Sequence, residues 1–189
     1  MLNLHNQIID IVGKRNFLLN EKEKTPYTTG WRTEAGECEF VVLPNSLLHM
    51  WYVLKLCIEN NKYILMQAAN TSLTGGSTPN GKYNKGLVII NTTKLKTIIP
   101  LKNGKQVLAV PGSTLYDLEK KIKPYNRAPH SEIGSSCIGA SVVGGVCNNS
   151  GGALIKRGPA YTELSIFASV NKNGKLELQN KLGINLGDT

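Results

Sequence analysis

From Ile133 to Ile155 the chain runs for 23 residues without a charged side chain, although charged residues make up 19% of the sequence. Seven of the 19 glycines fall between Gly134 and Gly158. A glycine inside a helix costs about 1 kcal/mol relative to alanine, so such a density needs a packing or ligand reason. The missing charge predicts a largely buried segment. Within it, Ile138, Val142 and Val146 fall on one helical face, while Ser135, Ser136, Ser141, Asn148, Asn149 and Ser150 supply neutral donors and acceptors. A wall of this kind suits a large heteroaromatic cofactor. A glycine-mediated helix contact with no ligand accounts for the same residues.

A second stretch, Gln67 to Gly81, carries no charge over 15 residues and follows the apolar run Tyr63 to Met66. Small residues let the main chain approach a ligand closely, and successive backbone N–H groups after a strand form a concave anion site. A phosphate or pyrophosphate is the guest such a loop would take. The stretch lacks the lysine of a P-loop and the G-x-G-x-x-G of a Rossmann turn, and a long polar surface loop would read similarly.

The remaining pattern is α+β. Leu2, Leu4, Ile8, Ile9, Ile11 and Val12 predict a short edge helix stopping at Gly13, with His5, Asn6 and Asp10 facing water. Residues 14–36 show no sustained period and predict an extended lead-in. Phe40 to Leu43 predicts a strand, closed by Pro44. Asn45 or Ser46 then caps a helix with Leu47, Leu48, Trp51, Leu54 and Ile58 on one face, and Tyr63 to Met66 follows as a strand. Gly86 to Ile90 is another strand. Asn103-Gly104 and Asn171-Lys-Asn-Gly174 each join two strands as hairpins, and Ser113 or Thr114 caps a helix through Ile122. Trp31 and Trp51 read as packing anchors, and His130 as a loop residue.

At 189 residues the length suits one domain, or one with a small second lobe. The net charge is +9, and the excess lies after residue 50, where 17 basic residues face seven acidic ones. That balance serves nucleic acid, anionic lipid or a phosphate-bearing ligand. With seven Tyr, three Phe and two Trp, and basic residues that do not cluster, a nucleic-acid or anionic-membrane binder is the weaker reading, and no nucleic acid is expected as partner. Cys38, Cys57, Cys137 and Cys147 have no zinc spacing and read as reduced thiols of a cytoplasmic protein. The best apolar run, Leu47 to Ile58, is broken by His49 and Lys55. Neither a membrane span nor a secretory signal is expected. No catalytic triad, paired carboxylates or metal cluster stands out.

Ile64-Leu-Met-Gln-Ala-Ala-Asn-Thr, Gly76-Ser-Thr-Pro-Asn-Gly81, Pro129-His-Ser-Glu-Ile-Gly-Ser-Ser-Cys-Ile-Gly-Ala-Ser and Gly144-Gly-Val-Cys-Asn-Asn-Ser-Gly-Gly together resemble the bacterial respiratory, quinone-dependent D-lactate dehydrogenase family. The likeness runs from about Tyr27 through Gly187 and includes Arg157-Gly-Pro-Ala-Tyr-Thr-Glu163 and Leu182-Gly-Ile-Asn-Leu-Gly187. That family is similar to the vanillyl-alcohol oxidase and p-cresol methylhydroxylase flavoproteins. The resemblance implies an FAD-binding domain of two α+β subdomains with the dinucleotide between them, here stopping slightly short at its C-terminal end. Residues 1–30 would form the lead-in and 31–189 that domain. It further implies that Ala68, Ala69, Asn70, Thr71, Ser72, Gly76 and Ser77 line the FAD pyrophosphate, while Gly134, Ser141 and Gly151 meet the flavin side.

By the same resemblance, the family oxidises D-lactate to pyruvate by hydride transfer to flavin and passes electrons to quinone, as a peripheral enzyme on the cytoplasmic face of the inner membrane. It continues for several hundred residues past Gly187, through substrate-binding and membrane-contacting regions. This chain is therefore expected to be catalytically incomplete alone, with no catalytic residue of its own, as a truncated product or with a separate chain supplying the C-terminal half. A non-catalytic flavin or nucleotide-binding module is the alternative. An apolar face should be left where the partner region sat. Two departures stand out: Ser72 replaces an expected glycine and Gly75 an expected glutamate. Were φ positive at position 72, serine would cost on the order of 1 kcal/mol.

Overall fold

The computed structural model describes residues 3–130, 134–152 and 155–184. Asn3 opens helix α1 (Leu4–Val12) by accepting the backbone N–H of His5, and Gly13 closes it at φ 82°. A two-residue strand β1 (Phe17–Leu18) follows, then helix α2 (Glu21–Thr28), strand β2 (Phe40–Val42), helix α3 (Leu47–Glu59), strand β3 (Tyr63–Gln67) and strand β4 (Leu87–Asn91). The four strands form one sheet in the order β1-β2-β4-β3, with β1 antiparallel to β2 and the other pairs parallel. The β2–α3–β3 crossover thus leaves a gap that β4 fills. All of β4 is buried, as befits a central parallel strand covered on both faces.

Alternation along β2 and β4 sends Phe40, Val42, Val88 and Ile90 toward α1 and α3, where Ile8, Val12, Val53, Leu54 and Cys57 complete one core. Val41, Leu43, Leu87 and Ile89 face the other way, against Tyr27 of α2 and Tyr83. Ser46 caps α3 by accepting from His49 N at 3.0 Å. The buried stripe of α3 runs through Val53, Leu54 and Cys57, whereas Leu47 and Leu48 of the expected apolar face are exposed. The stripe is rotated because the sheet lies beneath the Val53–Cys57 side.

The expected extended lead-in over 14–36 is corrected by α2. Its sequence, Glu-Lys-Glu-Lys-Thr-Pro-Tyr-Thr, is polar almost all round, so no apolar period announces it. It is held from its ends and by one lysine. Asn20 accepts from Lys22 N, and buried Lys24 donates to the Cys38 carbonyl at 2.8 Å while pairing with Glu21 at 2.7 Å. His5 does not face water either. Its ring packs 5.1 Å from Phe40 and 5.2 Å from Phe17, and its Nε2 lies 3.4 Å from Glu39. Residues 3–28 therefore build both faces and one edge of the first subdomain.

The second subdomain begins with an antiparallel hairpin, β5 (Ile98–Leu101) and β6 (Gln106–Ala109), whose turn holds Asn103 at φ 54° and Gly104 at φ 74°. Helix α4 (Leu115–Ile122) follows, capped by Thr114, whose Oγ1 accepts from Asp117 N at 3.0 Å. Leu115, Leu118 and Ile122 pack on Ile98 and Ala140. A short 3₁₀ turn (Gly134–Ile138) and helix α5 (Val142–Cys147) come next. A last hairpin, β7 (Ile166–Val170) and β8 (Leu176–Asn180), reaches the first core through Leu176. Around it Tyr161, Leu164, Phe167, Val170 and Leu178 are exposed, with Val170 and Leu178 on one side of the hairpin and Phe167 on the other. Among the described residues no helix is long and apolar enough to cross a membrane.

Candidate functional site

The charge-free loop leaves β3 at the carboxyl ends of the parallel strands, where open α/β sheets hold their ligands. Its root is a buried amide network. Gln67 donates from Nε2 to the carbonyls of Tyr27 at 2.8 Å and Ser77 at 2.7 Å, and its Oε1 accepts from Asn91 Nδ2 at 3.0 Å. Asn91 also donates to the Ala68 carbonyl at 2.9 Å, and Thr92 N to the Gln67 carbonyl at 2.8 Å. Both ends of the loop and the end of α2 are thereby fixed to two neighbouring strands. Every polar atom of the Gln67 carboxamide is used, so the network rigidifies without leaving a buried orphan.

Asn70 locks the middle. It sits at φ 53°, a conformation asparagine tolerates better than most side chains. Its Nδ2 donates to the Thr29 carbonyl at 2.9 Å, and its Oδ1 accepts the hydroxyls of Ser77 at 2.8 Å and Thr78 at 3.1 Å. Ser72 Oγ lies 3.1 Å from Thr74 Oγ1, and Ser72 is not among the residues with positive φ. The left-handed positions of this loop are Asn70, Gly75 at φ 75° and Gly81 at φ 80°. The serine departure therefore brings no backbone strain.

Thr33, which the sequence does not single out, sits between two glycines of this region. A β-carbon at Gly30 would overlap Thr33 Oγ1 and lie 2.6 Å from Thr78 Oγ1, while one at Gly75 would lie 2.8 Å from Thr33 Cγ2. The Thr33 hydroxyl is buried and has no hydrogen-bond partner among the described residues. An orphaned hydroxyl costs about 1–3 kcal/mol, so a donor is left over beside the loop. A β-carbon at Gly76 would meet nothing within 4 Å, which leaves its backbone open to approach. Neutral donors and bare main chain of this kind fit a pyrophosphate.

The second charge-free segment is not largely buried, contrary to the sequence expectation. Ala140, Ser141 and Gly145 are buried, but Gly134, Cys137, Ile138, Cys147, Asn148 and Asn149 are exposed. Nor do Ile138, Val142 and Val146 share a helix, because Gly139, at φ 96°, breaks the chain between the 3₁₀ turn and α5. Absence of charge marks a neutral surface here. Ser141 caps α5, accepting Gly144 N at 3.0 Å, and the segment is tied to the start of α4 by Leu115 N to Ala140 O at 2.9 Å and Val142 N to Ser113 O at 2.8 Å.

The two segments meet. A β-carbon at Gly139 would stand 3.9 Å from the Ala69 methyl, so the loop from β3 and the turn before α5 face one another. Ala68, Ala69, Asn70, Thr71, Ser72 and Ser77 are half-buried along this loop, with Gly76 exposed, and Ser141 follows the contact within two residues. Gly134 lies at the start of the 3₁₀ turn, and half-buried Gly151 beyond α5. The motif residues 131–133, 153–154 and 185–187 fall outside the described residues. His130 is exposed with its Nε2 3.2 Å from the Gly158 carbonyl, a loop position as expected. Among the described residues no group of three His, Cys, Asp or Glu could hold a metal.

Two subdomains with a neutral, glycine-rich seam at the ends of parallel strands define a dinucleotide-binding fold, and a profile described as "FAD binding domain" matches residues 38–177. The chain belongs to that FAD-binding family. It is 56% identical to the quinone-dependent D-lactate dehydrogenase of Escherichia coli K12 over 185 residues, 97% of this chain and 32% of that protein. Against the enzyme of the same name from Haemophilus influenzae Rd it is 50% identical over 187 residues, 98% of this chain and 33% of the other. The chain thus spans about a third of the length of these relatives. In fold it is similar to alkyldihydroxyacetonephosphate synthase, with a TM-score of 0.74 at 16% identity over 97% of this chain and 36% of the other. p-Cresol methylhydroxylase gives 0.67 at 19%, over 98% and 36%. The α+β, two-subdomain expectation is borne out.

Proposed function

We propose that this chain is the FAD-binding part of a quinone-dependent D-lactate dehydrogenase, which oxidises D-lactate to pyruvate and passes the electrons to quinone. The observation that carries the reading is the meeting of the two charge-free segments at Ala69 and Gly139, at the carboxyl ends of the parallel strands. Ala68 to Ser72, with Gly76 and Ser77, would hold the pyrophosphate. Gly134, Ser141 and Gly151 would border the flavin. FAD, when bound, supplies the acceptor for the hydride of the α-hydroxy acid. This chain's residues position it and present neutral donors. Ser141, whose Oγ already accepts from Gly144 N, keeps its own proton free to donate.

The working unit is residues 31–189 together with the α1–β1–α2 segment that closes its sheet. The substrate and quinone sides belong to further sequence, in the same chain or a separate one, docking on the exposed apolar side chains around β7 and β8. Such an assembly would sit peripherally on the cytoplasmic side of the membrane. The test is the visible absorbance of the purified chain, before and after excess FAD and desalting. Retained flavin bands are expected, and a protein that stays colourless would overturn the cradle. D-Lactate-dependent dye reduction by the 189-residue chain is expected at free-flavin background. A rate well above it would show the chain to be catalytically complete.

A further inference from the structure

We propose that Trp31 is a wall of the cofactor site, its indole stacking on a planar ring of the dinucleotide; the inference rests on the FAD reading above. The sequence marks Trp31 as a packing anchor, yet its side chain is 59% exposed. A single exposed apolar residue needs no explanation, but the neighbours of this one do. Trp31 lines a groove with Pro26, Thr29, Gly30, Ala69 and Asn70, which places it beside the charge-free loop.

The groove and the loop are tied together by one residue. Asn70 donates to the Thr29 carbonyl, two residues before Trp31, and accepts the hydroxyls of Ser77 and Thr78 from the far end of the loop. Gly30 is pinned between Thr33 and Thr78, which fixes the backbone immediately before the indole. Ala69, on the loop side of the groove, also faces Gly139. The groove beside Trp31 is therefore continuous, through Ala69, with the seam between the two segments. An exposed indole beside a neutral, hydroxyl-rich loop can take a heteroaromatic ring on its face while the loop takes the attached phosphates. FAD carries two such rings, adenine and isoalloxazine, and either would stack on an indole.

The experiment is calorimetric titration of the flavin-stripped chain with FAD, ADP and FMN, for the parent, Trp31→Ala and Trp31→Phe. Trp31→Ala is expected to weaken FAD by about five- to tenfold, with Trp31→Phe within about twofold of the parent. The thermal midpoint of the stripped protein should be unchanged, because the indole is exposed. A loss confined to ADP assigns the ring as adenine, and one confined to FMN as isoalloxazine. If Trp31→Ala binds all three like the parent, the proposal is overturned while the FAD reading stands. If the parent itself fails to bind FAD, both fall.

Discussion

Gln67 and Asn91 are register partners at the carboxyl ends of β3 and β4, and the Asn91 carboxamide donates to Gln67 Oε1 at 3.0 Å. Both side chains are 2% exposed. The pair converts the ends of two parallel strands into a fixed mount for the loop that follows, since Gln67 also holds the Tyr27 and Ser77 carbonyls.

Replacing Gln67 with methionine keeps the volume but strands two carbonyls and one amide donor in the interior. With a cost of about 1–3 kcal/mol for an unsatisfied buried group, Gln67→Met should destabilise the fold by roughly 2–4 kcal/mol. Urea unfolding would read this as a lower midpoint at unchanged slope. FAD retention on desalting should fall as well, because the loop loses its anchor at both ends.

Ser72→Gly tests the departure in the loop. Positive φ occurs at Asn70, Gly75 and Gly81 and not at Ser72, so glycine relieves no strain there. The variant should bind FAD within about twofold of the parent and lose on the order of 0.5–1 kcal/mol through added backbone freedom. A large gain in flavin affinity, followed by quenching of flavin fluorescence, would contradict this account.

Local chemistry made much of this architecture readable. The β2–α3–β3 unit, both hairpins and the Ser46 and Thr114 caps follow from apolar runs, turn glycines and hydroxyls next to helix starts. Sheet order was not readable, because β4 enters between two strands already joined by a crossover. Helix α2 was hidden for another reason: it is held by Lys24 reaching the Cys38 carbonyl and not by an apolar stripe. The candidate loop was visible from its composition. Its supports were not, since Asn70 and Thr29 are 41 residues apart and only the fold brings them to 2.9 Å. Charge depletion over 133–155 misled because a neutral exposed surface and a surface turned inward have the same composition.

Gly30→Ala probes the packing beneath the loop. Its φ is not positive, so the effect is steric: the new methyl would press on Thr33 Oγ1 and Thr78 Oγ1. Thr78 must then release Asn70 or the backbone must shift. The expected outcome is a melting temperature lowered by a few degrees, about 1 kcal/mol, and a weakening of FAD by more than about fivefold. Equal FAD affinity in parent and variant would show that the Gly30–Thr33–Thr78 contact lies outside the site.

The four thiols divide by burial. Burial pushes the Cys38 thiol up to about 11 and the Cys57 thiol up to about 12, against an ordinary 9.0, while Cys137 and Cys147 are exposed. Because the thiolate is the reactive form, a disulfide reagent at pH 8 should modify two thiols quickly in the native protein and four in denaturant. The same shifts set a pH dependence. Both buried thiols are held protonated in the fold, so their contribution to stability is complete below the ordinary value of 9.0. It declines as pH rises toward about 11 and about 12, because the unfolded chain ionises first. Urea midpoints measured from pH 7 to 11 should therefore be level at first and fall above pH 9. Replacing both buried cysteines with alanine should flatten the part of that fall they cause, at the expense of a lower midpoint throughout from the cavities left behind.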